Sequence, residues 1–453
     1  MNHFIEEKNE IFSIFKRIKN KDFSGNSGQA IKNSIYQFST SLVSKFGSLI
    51  FTIILARLLL PELFGLYSLA LSTIVIFSVL SDLGIGSTLI TFVSKNLGSN
   101  KPKKAKAYFV QLFKWKIVSS IFASFILILS AYYISNIYYS KPIFLALLAG
   151  ALYIPIVNIL GFLESIFVAS NLFKYPFYKE ILFQILRITV VPISIFLIIK
   201  TNISSESLTL GIILIISLCY FLVLTFLLIY INKKIKFLRK ERDNLTKKEL
   251  VSLKNFLLPL TATSLSGIFF GYVDTIMLGH YVSENFIAYY GAAFALISSA
   301  SVIISFTGIA LLPIFARLKD KILEAAFRQT LLVTSLIGIV GAIFTFLIAK
   351  YIIFVVYGAD YEGAIMLLRY FSILIIFLPL STLYTNYFIS QEKTKFLSFL
   401  LIFITLVNII LNYFFITSGL RTGMEEAVIG ACIATLISRG VFLAGLGFWK
   451  RFN

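Results

Sequence analysis

Seven ionised side chains lie where an apolar chain should not hold them. Lys45, Arg187, Arg369 and Arg439 on the cationic side, and Asp82, Glu164 and Asp274 on the acidic side, each interrupt a long apolar stretch. An ion at mid-bilayer costs on the order of 3 kcal/mol on insertion scales, so each is a functional candidate by default. The cations outnumber the acids, and Arg57 at the end of the first stretch widens the margin. A water-filled cavity with a cationic surplus suits an anionic substrate such as a phosphate or pyrophosphate, which an Arg fork can bind bidentately. Arg187 also ends a stripe with Glu180 and Gln184, spaced i, i+4, i+7 on one helix face. The competing reading is a set of intramembrane salt bridges, Lys45 with Asp82 or Asp274 for instance, that only fix packing.

Among the acids, Asp274 stands on the face of Ser264, Gly267 and Gly271. A carboxylate there could exchange a proton or a sodium ion, or simply balance a cation such as Arg369. Asp82 and Glu164, nearer the helix ends, are weaker candidates for the same coupling. No resident cofactor or metal is expected. Cys219 and Cys432 sit in apolar stretches, the only histidines are His3 and His280, and there is no phosphate-binding Gly loop with a Lys.

The elements that must position these residues are helices. The chain is 58% hydrophobic and 14% charged over 453 residues, too apolar for a soluble globular protein. With roughly 20 apolar residues per crossing, the spans fall at about 33–59, 66–91, 112–136, 143–169, 177–199, 208–231, 255–279, 286–315, 328–349, 363–389, 396–417 and 426–448. The fold class expected is therefore all-α, a polytopic membrane protein of about twelve helices. Pro155, Pro192, Pro259, Pro313 and Pro379 interrupt spans and mark expected bends.

Lys and Arg concentrate in every second gap, chiefly Lys95 to Lys106 and Lys233 to Lys254, whereas the gaps at Lys141 and Lys200 are nearly bare. Short cationic loops stay in the cytoplasm. Both termini are thus expected on the cytoplasmic side of a cell membrane, and the net charge of +20 is explained by an anionic leaflet, not by nucleic acid. Residues 1–32 read as a cytoplasmic amphipathic tail, 33–231 as a first six-helix bundle, 232–254 as a basic cytoplasmic linker, and 255–449 as a second six-helix bundle.

The two bundles are related. Arg57 to Tyr67 aligns without gaps to His280 to Tyr290, the offset being the same at both ends (280 − 57 = 223; 290 − 67 = 223). Carried backwards, it sets Ser41, Ser44, Ser48 and Thr52 on Ser264, Gly267, Gly271 and Thr275, one helix face in each repeat. Pseudo-symmetric bundles with small or polar faces on equivalent helices point to a central cavity between them. Small residues that simply let helices pack closely are the alternative.

The run Leu55-Ala-Arg-Leu-Leu-Leu-Pro-Glu-Leu-Phe-Gly-Leu-Tyr67 followed by Ser81-Asp-Leu-Gly-Ile-Gly86 resembles the amino-terminal signature of polysaccharide biosynthesis membrane proteins. These form the oligosaccharide flippase branch of the multidrug/oligosaccharidyl-lipid/polysaccharide (MOP) exporter superfamily. Tyr272 to Gly279, Tyr290 to Ala293, Tyr357 to Tyr361 and Gly430 to Thr435 extend the likeness over nearly the whole chain. The resemblance implies a two-lobed transporter, not an enzyme. It would open alternately to either side and move a polyprenyl-(pyro)phosphate-linked oligosaccharide from the cytoplasmic to the outer leaflet. The partners implied are the lipid-linked oligosaccharide, membrane lipids and polysaccharide polymerase or glycosyltransferase machinery. The family's cationic cavity corresponds to Lys45, Arg187, Arg369 and Arg439, with Ser41, Ser44, Ser48, Thr52, Gln184 and Ser264 as its polar lining. Two rivals remain: a multidrug cation antiporter of the same superfamily, which should favour acids in its cavity, and a membrane polysaccharide polymerase or ligase, for which the outer gaps are short.

Overall fold

The computed structural model describes residues 25–200, 203–315, 320–391 and 393–452, and these form an all-α membrane protein without strands among the described residues. Most of the expected tail, residues 1–24, lies outside them. In chain order the helices are α1 Gly25–Asp82, α2 Ile85–Gly98, α3 Pro102–Tyr132 with a π-helical extension Tyr133–Tyr139, α4 Phe144–Ala169, α5 Lys174–Ile199 and α6 Ser205–Lys234. After a short 3-10 turn at Lys236–Arg239 come α7 Lys247–Tyr281, α8 Glu284–Phe315, α9 Asp320–Val356, α10 Ala364–Phe371, α11 Leu374–Ser390, α12 Thr394–Gly419 and α13 Met424–Phe452. The first helix begins at Gly25, inside the stretch assigned to the tail.

Among the described residues, ten helices are long and apolar enough to cross a membrane, or eleven when the bent pair α10 and α11 counts as one. The first candidate, Ile31–Gly98, has 68 residues, about 100 Å of helix and over three times the hydrocarbon thickness. It is two spans joined at Leu60, whose φ of 57° and ψ of 172° break the helix. Pro61 follows and explains the position, since a proline pushes the residue before it out of helical geometry and itself starts a new helix well. Dividing the chain there brings the crossings to about twelve.

Helices α4, α5, α7 and α11 stay continuous through Pro155, Pro192, Pro259 and Pro379. The chain breaks at Leu60, in the expected gap between the first two spans, and also at Leu83–Gly84 and between α10 and α11, which meet at 42°. Capping is conventional where the chain enters a helix from water: Ser204 accepts from the Ser207 amide at α6, and Thr246 with Glu249 makes a capping box at α7.

One large apolar core runs through both halves, from Leu55 and Leu69 to Leu278, Phe371 and Ala431. Large exposed side chains such as Val118, Phe122 and Leu129 on α3, or Val340 and Leu347 on α9, face outwards. Hydrocarbon accepts such a surface as readily as a protein interior does. At the face where α1 turns, the halves are joined directly. Arg57 donates to the Val356 carbonyl at 2.7 Å and to that of Val355, Tyr361 donates to the Ala56 carbonyl at 3.0 Å, and His280 stacks on Tyr138 with ring centroids 4.5 Å apart. On the opposite, basic face the linker is tied to the first turn of α3 by Lys103–Glu241 at 2.6 Å and Lys104–Glu249 at 3.0 Å. The hydrogen bond from Lys103 holds the Glu241 carboxyl below its ordinary pKa.

Candidate functional site

The i, i+4, i+7 stripe of α5 is one connected network. Glu180 Oε1 accepts from Gln184 Nε2 at 2.6 Å, and Gln184 Oε1 accepts from Arg187 Nη2 at 2.8 Å. The same Arg187 nitrogen reaches Ser48 Oγ on α1 at 2.9 Å, so the small side chains of α1 meet the polar face of α5. Gly47 makes that meeting possible, because a Cβ there would collide with the Gln184 side chain. The Arg187 guanidinium lies over the rings of Phe51 and Phe183, 4.4 and 5.0 Å from their centroids. It has no carboxylate within ion-pair range among the described residues, and its buried Nε has no partner.

About two turns nearer the basic face than Arg187, Lys179 sits between two acids, 2.9 Å from Glu164 of α4 and 3.0 Å from Glu180. Lys179 and Glu180 are buried, at 8% and 6% exposed, and Glu164 is half-buried, so the triad carries one carboxylate more than its cation offsets. These groups, with Ser44, Ser48, Tyr220 and Phe183, line a cavity of 240 Å³. It is walled by α1, α4, α5 and α6, all of the first half. Within it Lys179 offsets one carboxylate, leaving Arg187 opposite the other, so the charges balance overall but the guanidinium stands apart from both acids.

In the second half Asp274 is 7% exposed and held without an ion pair among the described residues. Its Oδ2 accepts from the Tyr290 and Thr435 hydroxyls at 2.7 Å each, and its Oδ1 accepts from Asn412 Nδ2 at 2.6 Å. Asn408, one turn before Asn412 on α12, is equally buried, and the side-chain oxygens of both asparagines have no partner. Arg439 is nearby, clamped by Phe270, whose ring centroid is 3.8 Å from the guanidinium and whose carbonyl accepts at 3.3 Å.

Comparison with known proteins gives the family. The sequence profile described as polysaccharide biosynthesis protein matches residues 30–319. The chain belongs to that family. The profile described as MatE matches residues 259–414, and no curated protein sequence matches. In fold, the chain is similar to a lipid II flippase MurJ in an inward closed conformation, with a TM-score of 0.68 at 18% identity over 93% of this chain and 87% of that one. It is also similar to an inward-facing multidrug resistance MATE family transporter of the MOP superfamily, at 0.61 and 15% over 92% and 96%. A MOP superfamily transporter from Pyrococcus furiosus, reported with a binding pocket of reverse polarity, aligns at 0.55 and 14% over 95% and 96%. The protein is thus a multi-pass membrane protein with the MOP transporter fold.

The four cations expected in one cavity stand in different local surroundings. Arg187 lines the first-half cavity. Arg439 lies beside Asp274 in the second half, and Arg369 on α10 is half-buried with its guanidinium 5.9 Å from the Phe346 ring centroid. Lys45 is exposed on α1, away from Asp82 and Asp274, with no ion-pair partner among the described residues. The suggested Lys45–Asp82 bridge is replaced by Lys116–Asp82 at 2.6 Å, with Lys116 only 2% exposed. Of the polar stripes, Ser44 and Ser48 reach the cavity. Ser41 donates back to the Gln37 carbonyl on an exposed face, while Thr52 and Ser264 are half-buried. Lys179, Lys116, Asn408 and Asn412 belong to these clusters without standing out in the sequence, although all four fall inside the expected spans, where the rule that singles out Asp82 applies to them as well.

Proposed function

We propose that this protein flips a polyprenyl-(pyro)phosphate-linked oligosaccharide from the cytoplasmic to the outer leaflet by alternating access, with the basic face as the cytoplasmic one. The observation that supports this reading most is Arg187: a cation inside a membrane-embedded cavity, held by neutral partners, with no carboxylate of its own. An intramembrane cation is costly unless it has work, and a guanidinium fork fits a phosphate or pyrophosphate. The polyprenyl tail would stay in lipid while glycan and phosphate enter between the halves. Family membership and the fold shared with a lipid II flippase favour the same substrate class.

Coupling would reside in the second half. Asp274, Thr435 and the orphaned amide oxygens of Asn408 and Asn412 are all oxygen donors gathered in a buried place. That donor set fits a hard monovalent cation such as sodium, or a proton on the carboxylate. The competing function, a cation antiporter, draws on the MatE match and on Glu164 and Glu180 in the first-half cavity; Lys179, bound to both, argues against it.

The test is a reconstituted flipping assay: liposomes carrying a fluorescent polyprenyl-pyrophosphate oligosaccharide, scored by whether an impermeant glycosidase reaches the sugar. Protein-dependent transfer that fails in Arg187→Ala is expected. Transfer of a soluble cationic dye in place of the lipid would establish the antiporter.

A further inference from the structure

The second crossing is broken at its basic end. Helix α1 stops at Asp82, and Leu83 (φ 47°) and Gly84 (φ 70°) occupy the left-handed region before α2 begins at Ile85. A break in a membrane span frees backbone carbonyls that must find other donors. The Ser81 carbonyl is met from within the first half, by the Ser119 hydroxyl at 2.7 Å, and Asn158 Nδ2 braces the preceding turn by donating to the Ser78 carbonyl at 3.2 Å. The Leu83 carbonyl is met differently. It accepts from the Thr261 hydroxyl of α7, in the other half, at 2.9 Å.

That hydroxyl is also 3.0 Å from the Leu257 carbonyl of its own helix, the usual back-bond of a helical threonine. Thr261 therefore has a second acceptor ready when the halves part, while the Leu83 carbonyl is left to water. The surrounding contacts belong to the same closure. A Cβ at Gly84 would stand 2.6 Å from Leu260 Cβ, so the absent side chain lets the broken backbone approach α7, and Phe92 meets Phe256 edge-on at 5.5 Å. Lys116 grips Asp82, the last residue before the break, and is itself buried.

We propose that Thr261 is the latch that closes the basic face between the two halves, its hydroxyl exchanging Leu83 for Leu257 as that face opens, and that Lys116 and Asp82 are positioning residues that hold the break in register for it. The assignment rests on the alternating-access reading. Its test reads conformation without substrate, so the two can fail separately.

In a background of Cys219→Ala and Cys432→Ala, the pair Phe92→Cys and Phe256→Cys reports closure of the basic face by oxidative crosslinking, and Tyr138→Cys with His280→Cys reports the other face. Thr261→Val keeps the shape and removes the hydroxyl. It is expected to lower basic-face crosslinking about fivefold, the population shift that one lost hydrogen bond produces, and to leave the other face unchanged. Thr261→Ser is expected to restore it. Lys116→Gln should lower it likewise with normal accumulation in the membrane. Unchanged crosslinking in Thr261→Val, an equal fall in Thr261→Ser, or a fall on both faces would overturn the latch. Unchanged crosslinking in Lys116→Gln would remove the ion pair from it. Crosslinking that responds as expected in a protein that flips no lipid would leave the latch standing and reject the flippase.

Discussion

The two halves answer the same problem, a polar group inside hydrocarbon, in opposite ways. In the first half, Lys179 lies between Glu164 and Glu180 at ion-pair distance, and Arg187 stands apart from both acids on neutral partners. In the second, a lone carboxylate is sealed by three neutral donors. The repeat makes the contrast sharp, because Phe51 and Asp274 occupy equivalent positions (274 − 51 = 223). At one, an aromatic face supports the Arg187 guanidinium; at the other, the carboxylate itself is the hub. Duplicated helices thus fix where a polar site can be placed, and a single side chain decides its sign. A cation over a ring remains available to an anionic guest, whereas a carboxylate among hydroxyls and amides suits an ion stripped of water.

The strongest way to break this comparison is to remove the cation from the triad. Lys179→Met would leave Glu164 and Glu180 facing each other, which should cost about 3–5 kcal/mol of stability. Thermal unfolding in detergent would show a large drop, mostly recovered by adding Glu164→Gln; an unaltered midpoint would mean that the triad does not hold α4 to α5.

Next in size, Arg187→Ala should reduce flipping about tenfold or more with normal accumulation, because its partners are neutral and can turn to water. Arg187→Lys should restore only part of the rate, an ammonium lacking the planar fork. Full activity in Arg187→Ala would take the anion site away from the first half.

Asp274→Asn sharpens the other side. Its amide can still accept from Asn412 and donate to the Tyr290 and Thr435 hydroxyls, so stability should fall by only about 1 kcal/mol. Dependence of transport on a sodium or proton gradient should vanish, as read by flipping with and without each gradient. Persistence of that dependence would move coupling elsewhere.

The smallest effect is expected for Lys45→Ala, less than about twofold on flipping, since an exposed cation without a fixed partner contributes little. A loss as large as that of Arg187→Ala would relocate the anion site to the exposed stripe of α1.

Much of this was legible along the chain. Apolar stretches of bilayer length reported the crossings because backbone groups in hydrocarbon have no alternative to helix. The Glu180, Gln184, Arg187 stripe was readable for a related reason: neighbours at i, i+4 and i+7 share a face whatever the fold. The polar face of α1 was legible only in part, since Ser44 and Ser48 turn to α5 while Ser41 turns outwards.

Pairings between helices were not legible. Nothing in sequence order joins Lys116 to Asp82 in place of Lys45, or brings Asn412 and Thr435 to Asp274 across 138 and 161 positions. The breaks inside spans were equally hidden: Pro155, Pro192, Pro259 and Pro379 stay within helices, and Leu83–Gly84, which carries no proline, does not.

By itself the sequence determined a multi-pass helical bundle, its repeat, its basic gaps and the presence of ions within it, because these follow from local periodicity and from the cost of polar groups in lipid. Only the tertiary structure decided which ions cancel, which stand alone and where the spans break. Those outcomes depend on which side chains from distant helices arrive within about 3 Å of one another, a distance that no local pattern encodes.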